Sequence, residues 1–248
     1  MKSAGCMVLR TWLVAGLSAG LMAVALDCAM AEDANTGAAA GTNAVGAWQG
    51  TVSNATPGAP VALDDKQKGL VKTVDDYFNG LDAMQGHFLQ TDAQSQQQKG
   101  DFYIKRPGRF RFVYAPPSKL VILSDGQTLS FEDYELKHAD RYPLDTTPFR
   151  ILLAKDVDIL RDANVSNLSE AEDLLTLTLQ DKSPDNPGAI QLLFVKKDGK
   201  IELKEWVITG PQGDNTRVEV ADLARDKPID DGLFKPAPLE LQNAQKKN

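Results

Sequence analysis

The chain has 248 residues and a net charge of −7, from 27 Lys and Arg against 34 Asp and Glu. Phosphate backbones and anionic lipid surfaces repel such a protein, so nucleic acid and loose adhesion to a membrane are poor partners. Two cysteines and two histidines are all it carries, which leaves little with which to build a thiolate or imidazole metal site.

Met1 to Ala31 reads as a secretory signal peptide. Lys2 and Arg10 form a positive n-region, Thr11 to Leu26 is apolar, and Ala29-Met30-Ala31 fits the small-x-small rule for cleavage. The apolar run is short of the roughly 20 residues that a membrane span needs. Cys28 invites a lipidated reading, but Asp27 stands where a small neutral residue belongs, so cleavage after Ala31 is preferred. Cys6 and Cys28 then both leave with the signal, and the loss of Lys2, Arg10 and Asp27 takes the net charge from −7 to −8. An exported chain without disulfides fits a bacterial periplasm. Residues 32–62 are rich in Ala, Gly, Asn and Thr and read as a flexible leader, with Trp48 exposed in it. A single domain over 63–240 and a short tail over 241–248 complete the expected organisation.

From Leu63 the apolar residues Leu63, Leu70, Val74, Tyr77, Phe78 and Leu81 recur at helical spacing, with Asp64 and Asp65 in the first turn and Asn79-Gly80 as the stop. The paired acids Asp75 and Asp76 read as a solvated face. Strands follow: Met84 to Asp92, Asp101 to Lys105, Arg109 to Tyr114, Leu120 to Leu123 joined through Asp125-Gly126 to Thr128–Tyr134, then Leu174 to Gln180, Ile190 to Val195 joined through Asp198-Gly199 to Ile201–Thr209, and Thr216 to Leu223. Nine or ten strands with no βαβ repeat predict a mainly antiparallel β protein. In the third strand Phe110, Phe112 and Tyr114 share one face and Arg109, Arg111 and Val113 the other. Such a stripe covers either a sealed core or a cavity for a guest, and alternation does not distinguish them. Residues 145–154, from Asp145 through Pro148-Phe149 to Leu153-Ala154, begin as a helix begins and pack over a sheet face, as a plug or as a movable cover.

Chemistry is sparse. His87 lies mid-strand and His138 in a polar loop, so no metal site is expected. No nucleophile elbow, phosphate loop or paired-histidine motif occurs, and Glu170-Ala171-Glu172-Asp173 and Asp230-Asp231 read as solvated loops. Neither catalysis nor a cofactor is expected.

Phe88-Leu89-Gln90, Gly100-Asp101-Phe102-Tyr103-Ile104-Lys105-Arg106-Pro107-Gly108-Arg109-Phe110-Arg111-Phe112, Leu123-Ser124-Asp125-Gly126-Gln127-Thr128-Leu129, Thr147-Pro148-Phe149 with Leu152 and Leu153, and Leu233-Phe234 with Pro236 and Pro238 occur in that order. Together they resemble the periplasmic outer-membrane lipoprotein carrier family, LolA, over about Leu70 to Leu239. Phe112 stands where that family often carries tryptophan. The resemblance implies mainly β structure with short helices: an unclosed antiparallel β-barrel whose apolar concave face lies under a helical lid. It implies that acylated lipoproteins are taken from an inner-membrane ABC exporter and delivered to an outer-membrane lipoprotein receptor by a monomeric periplasmic carrier. Arg106 would latch the lid, where residue type alone suggests a surface cation at a strand end. Phe88, Phe102, Phe110, Phe112, Tyr114, Leu129, Phe131, Phe149, Leu152, Leu153 and Trp206 would form the cavity or lid. The rival reading keeps the fold but makes it a lipid-sensing regulatory module of the envelope; a carboxylate hydrolase is a more distant rival.

Overall fold

The computed structural model describes residues 59–147, 149–183, 186, 188–210 and 212–241, so the expected signal peptide, nearly all of the leader and most of the tail lie outside the described residues. Helix α1 spans Asp65–Asn79. Asp64 caps it: its side chain accepts from the Gln67 amide at 2.7 Å, and the Gln67 side chain accepts from the Asp64 amide at 2.9 Å. This reciprocal pair satisfies amides that the first turn leaves without partners. Val71, Val74, Tyr77 and Phe78 form the buried face of the helix.

Twelve strands follow among the described residues, interrupted by short helices. They are β1 (Ala83–Thr91), β2 (Gln97–Lys105), β3 (Arg109–Tyr114), β4 (Leu120–Asp125), β5 (Thr128–Asp133) and β6 (His138–Pro143). After a 3₁₀ turn at Leu144–Thr146 come α2 (Phe149–Leu152) and α3 (Ile159–Asp162). The chain then continues through β7 (Ala163–Glu170), β8 (Leu174–Asp181), β9 (Ala189–Lys197), β10 (Lys200–Thr209) and β11 (Asn215–Arg225), with a second 3₁₀ turn at Asp231–Phe234 and the two-residue β12 (Glu240–Leu241). All belong to one sheet in the order β12-β6-β5-β4-β3-β2-β1-β11-β10-β9-β8-β7. Neighbours are antiparallel except for β12, which runs parallel to β6. The sheet is not closed: β6, extended by β12, forms one edge and β7 the other.

Two strands escape the hydrophobic pattern, and they are those two edges. β6 reads His-Ala-Asp-Arg-Tyr-Pro with only Ala139 buried, so His138 opens a strand and does not lie in a loop. β7 reads Ala-Asn-Val-Ser-Asn-Leu-Ser-Glu and buries Ala163 and Val165. The expected loop at Glu170 is the end of that strand, and its carboxylate bridges Lys66 at 2.7 Å and Lys196 at 2.8 Å. β2 also begins earlier than expected, at Gln97, because glutamines on an exposed strand end give no apolar alternation. Val61 donates its amide to the Val165 carbonyl at 2.9 Å, so the end of the expected leader is tied to β7.

One apolar cluster fills the concave side. It joins Val74 and Phe78 of α1, Phe88, Phe102, Phe110 and Tyr114 of β1–β3, Leu177, Leu192, Phe194 and Trp206 of β8–β10, and Ile151, Leu152 and Leu153 of the covering segment. A smaller cluster lies apart from it: Ala83, Ile229 and Phe234, with Tyr103 and Leu233 packed against them. The segment after β11 is strapped to the sheet there. Asp231 bridges Lys105 at 2.6 Å and Arg109 at 2.8 Å, Arg111 donates to the Leu233 carbonyl at 3.0 Å, and the Arg109 guanidinium lies 5.8 Å from the centre of the Phe234 ring. The buried Glu132 accepts from the Ala237 amide at 2.7 Å, and Arg141 donates to the Ala237 carbonyl at 2.8 Å. Asp230 and Asp231 are therefore not simply solvated; Asp230 caps the 3₁₀ turn and Asp231 anchors it.

Phe234 is 2% exposed. Replacing it with alanine should cost about 3 kcal/mol, the ordinary cost of truncating a buried aromatic ring. Urea unfolding should show a lower midpoint with an unchanged slope; an unchanged midpoint would mean that the strap is dispensable.

Candidate functional site: the covered concave face

The turn between β2 and β3 positions the candidate latch. Lys105 and Arg109 are the last antiparallel pair of the hairpin, so Arg106-Pro107-Gly108 forms its tip. Gly108 has φ +69°, and a Cβ there would lie 2.9 Å from Gly126 Cα, so glycine is needed for both conformation and space. Its amide donates to the Leu153 carbonyl at 2.9 Å. The backbone of this tip therefore already touches the end of α2.

Arg106 multiplies that contact. Its Nε donates to the Ala154 carbonyl at 3.2 Å, and Nη2 donates to the same carbonyl at 2.5 Å and to that of Lys155 at 3.2 Å. Toward α1, Nη1 donates to the Phe78 carbonyl and, at 3.5 Å, to that of Leu81, while Nη2 reaches Asn79 Oδ1 at 3.2 Å. One guanidinium thus joins the C-terminal end of α1 to the segment just after α2, serving backbone carbonyls of both. Burial pulls the Arg106 pKa below its ordinary value, and the charges of Asp82 and Asp156 act the other way.

Beneath the covering segment, aromatic rings run in a chain. Phe149 lies 5.5 Å from Phe110, Phe110 lies 5.9 Å from Phe112, and Phe112 stacks on Phe102 at 5.7 Å and meets Phe88 at 5.2 Å and Trp206 at 6.1 Å. Phe88 then meets Tyr114 at 5.1 Å, whose hydroxyl donates to Gln90 Oε1 at 2.6 Å. Every expected cavity or lid residue (Phe88, Phe102, Phe110, Phe112, Tyr114, Leu129, Phe131, Phe149, Leu152, Leu153 and Trp206) belongs to the concave cluster or packs against it. Burial is uneven. Phe88, Phe102, Phe110 and Leu129 are buried, whereas Phe112, Leu120, Ile122, Phe131 and Phe149 keep some exposed surface, and Tyr142 beside Phe131 is exposed. The apolar face is therefore incompletely covered toward β4–β6. A cleft of about 310 Å³ opens at the rim, between Pro107-Gly108, Gly126-Gln127, Pro143-Leu144, Arg150 of α2, and Leu153 and Ala154 just after it.

Three contacts at the cover escaped the sequence reading. Asn79 Nδ2 donates to the Val157 carbonyl at 2.8 Å and its Oδ1 accepts from the Val157 amide at 2.9 Å. Asp75 accepts from the Ile159 amide at 3.0 Å, so it docks α3 on α1 and is not part of a solvated face; Asp76 alone is, paired with Lys72 at 2.8 Å. Burial pushes the Asp75 carboxyl up to about 6, opposed by its bond from Ile159 and reinforced by Asp158 and Asp76. On α2, Arg150 pairs in two-pronged fashion with Asp181 at the end of β8, 2.6 Å on the Nε side. An arginine inside an otherwise greasy helix was the signal available in the sequence; its partner, 31 residues on, left none.

A carboxyl whose folded pKa lies above its unfolded value stabilises the fold most below the unfolded value and loses that contribution as pH rises through the folded one. Asp75 should therefore make the protein less stable on going from pH 4 to pH 7, by about 1 kcal/mol once solvent screening of this half-buried group is allowed for. Asp75→Asn should remove that fall from urea midpoints measured across the window; an identical pH profile in the variant would exclude the assignment.

The sequence model described as "Outer membrane lipoprotein carrier protein LolA" matches residues 79–237. An outer-membrane lipoprotein carrier protein of Halorhodospira halophila is 29% identical over 189 residues, covering 73% of this chain and 87% of that protein. One from Chromobacterium violaceum is 25% identical over 179 residues, covering 69% and 85%. Among solved structures, a LolA superfamily protein from Nitrosomonas europaea is 11% identical with a TM-score of 0.42, covering 68% of this chain and 97% of that one. The MucA/MucB complex of Pseudomonas aeruginosa supplies a chain at 12% identity and TM-score 0.40, covering 69% and 61%.

Proposed function

This chain belongs to the LolA family of outer-membrane lipoprotein carriers, and from that premise we propose that it is a periplasmic, non-enzymatic lipoprotein carrier that shelters acyl chains on its concave face. The observation that carries the reading is the incompletely covered aromatic face beneath a short segment to which Arg106 and Gly108 donate hydrogen bonds. Each methylene moved from water into an apolar site gains about 0.8 kcal/mol, so a triacyl anchor of about 45 methylenes represents roughly 36 kcal/mol. No unassisted crossing of an aqueous gap is possible against that. Non-covalent binding saturates near −18 to −21 kcal/mol, and a site close to that ceiling would never release its load. A partial hollow that opens and closes meets both demands.

On this reading Phe110, Phe112, Phe131 and Trp206 receive hydrocarbon once Phe149, Leu152 and Leu153 swing aside. Arg106 is the latch: its planar fork serves several carbonyls at once, which the single ammonium of lysine does not. Cargo enters from an inner-membrane ABC exporter and leaves to an outer-membrane lipoprotein receptor. The mature chain begins after cleavage at Ala31, and the carrier domain spans residues 63–240.

The direct test is release of a labelled triacylated lipoprotein from membranes containing the exporter and ATP. The purified mature protein should carry it into solution as a one-to-one complex. Cargo that stays in the membrane would overturn the proposal, and a stable complex with a membrane-embedded signalling protein in place of cargo would support the lipid-sensing alternative. Arg106→Leu should shift the balance between capture and release at least several-fold while the thermal midpoint moves by only a few degrees. Loss of folding in that variant would make Arg106 structural instead.

A further inference from the structure

We infer that Arg150 and Asp181 form a second latch, which holds the N-terminal half of the cover to β8 and must break for the concave face to open. The inference rests on the carrier reading for its purpose, though not for its geometry. Arg106 and Gly108 grip Leu153, Ala154 and Lys155, at the C-terminal end of α2, from the β2–β3 turn. Arg150 reaches the other way. Its guanidinium meets both carboxylate oxygens of Asp181, and β8 lies far along the sheet from β3, beyond β2, β1, β11, β10 and β9. The cover therefore spans the open sheet like a brace, with one arginine at each end.

The two partners differ in their surroundings. Arg150 keeps 32% of its side chain exposed, while the Asp181 side chain has 0%. The carboxylate also accepts from the Ser183 amide at 2.7 Å and from Asn186 Nδ2 at 2.9 Å, and Asn186 Nδ2 donates in turn to the Asp145 carbonyl at 3.0 Å, just before α2. Opening would pull Arg150 into water, where it is readily solvated, and leave a buried carboxylate with only neutral donors. That asymmetry disfavours the open state without weakening the sheet itself. Arg150 occupies one of the two positions that the Thr-Pro-Phe…Leu-Leu motif leaves unspecified, so the latch is a property of this chain's own residues.

Because both cysteines precede Ala31, mature protein carrying Ile151→Cys has a single thiol, on the buried side of the cover itself. Its maleimide labelling rate, measured without cargo, reports opening whether or not the protein carries lipoproteins. Arg150→Met and Asp181→Asn should each raise that rate on the order of tenfold, as the loss of charge-assisted hydrogen bonds implies. Arg150→Lys should restore part of the difference, and Arg106→Leu combined with Arg150→Met should exceed either alone. Amide exchange at Leu192, in the middle of the sheet, should not change. If labelling is no faster, or quickens only in step with exchange at Leu192, the pair is a structural ion pair and the inference falls. Arg150→Met decides the matter alone should Asp181→Asn not fold. If labelling responds as expected but the same variants and the parent all fail to extract lipoprotein, the latch stands and the carrier reading does not.

Discussion

Burial of the concave face is the interaction on which the rest of the structure depends. β6 and β7 remain apart as the two edges of the sheet, so a face bearing Phe88, Phe102, Phe110, Phe112, Leu177, Leu192 and Trp206 has no opposite wall of strands to complete it. Helix α1 covers part of that face with Val74, Tyr77 and Phe78, and the segment from Phe149 to Ile159 covers more. Neither of the two short helices in that segment would persist alone, since four residues make barely one turn and nucleation is unfavourable. They persist because Ile151, Leu152 and Ile159 are buried and because side chains hold the backbone that flanks them, Arg106 at the Ala154 carbonyl after the first and Asn79 at the Val157 carbonyl before the second.

The opposite side solves a different problem with different chemistry. Arg109 and Arg111 alternate with the aromatic residues of β3, and they organise the C-terminal strap through Asp231, Phe234 and the Leu233 carbonyl. β12 then lies along β6 and occupies part of an otherwise open edge, which limits the unpaired amides and carbonyls offered to other chains. One strand thus serves two functions with a two-residue period: phenylalanines toward the covered hollow, cations toward the strap.

What the sequence made legible follows the same division. Strands that bury a face, β3, β4, β8, β9 and β10, carry apolar alternation or an apolar run and were readable at close to their true bounds. The edges β6 and β7 were not, because a strand that buries only one or two side chains has no hydrophobic rhythm to read, and polar edge residues are how sheets avoid pairing with strangers. The residues that the family resemblance placed in the cavity or lid all lie in or against one cluster; alternation alone put Phe110, Phe112 and Tyr114 on one face without telling a sealed core from a hollow. Asp75, Asn79 and the Arg150–Asp181 pair were invisible for another reason. Their meaning lies in a partner 31 to 84 residues away, and charge on a helix reads as solvated until tertiary structure supplies that partner.

The two kinds of force in the cover have separable roles. Apolar contact between Ile151, Leu152, Leu153 and the sheet is nondirectional, so on the proposed carrier reading hydrocarbon can take the place of those side chains almost without loss. On that reading the hydrogen bonds of Arg106 and the ion pair of Arg150 have no such substitute in an acyl chain, so they are the contacts that resist opening. A cover held by grease alone would exchange freely with any lipid, and one held by charge alone would leave the aromatic face wet whenever it loosened. Under the proposed function, joining the two gives a hollow whose affinity for hydrocarbon is set by area and whose threshold for opening is set by a few polar contacts at its rim. Substitutions at the rim should therefore alter when the hollow opens, and substitutions on β3 should alter how tightly it holds.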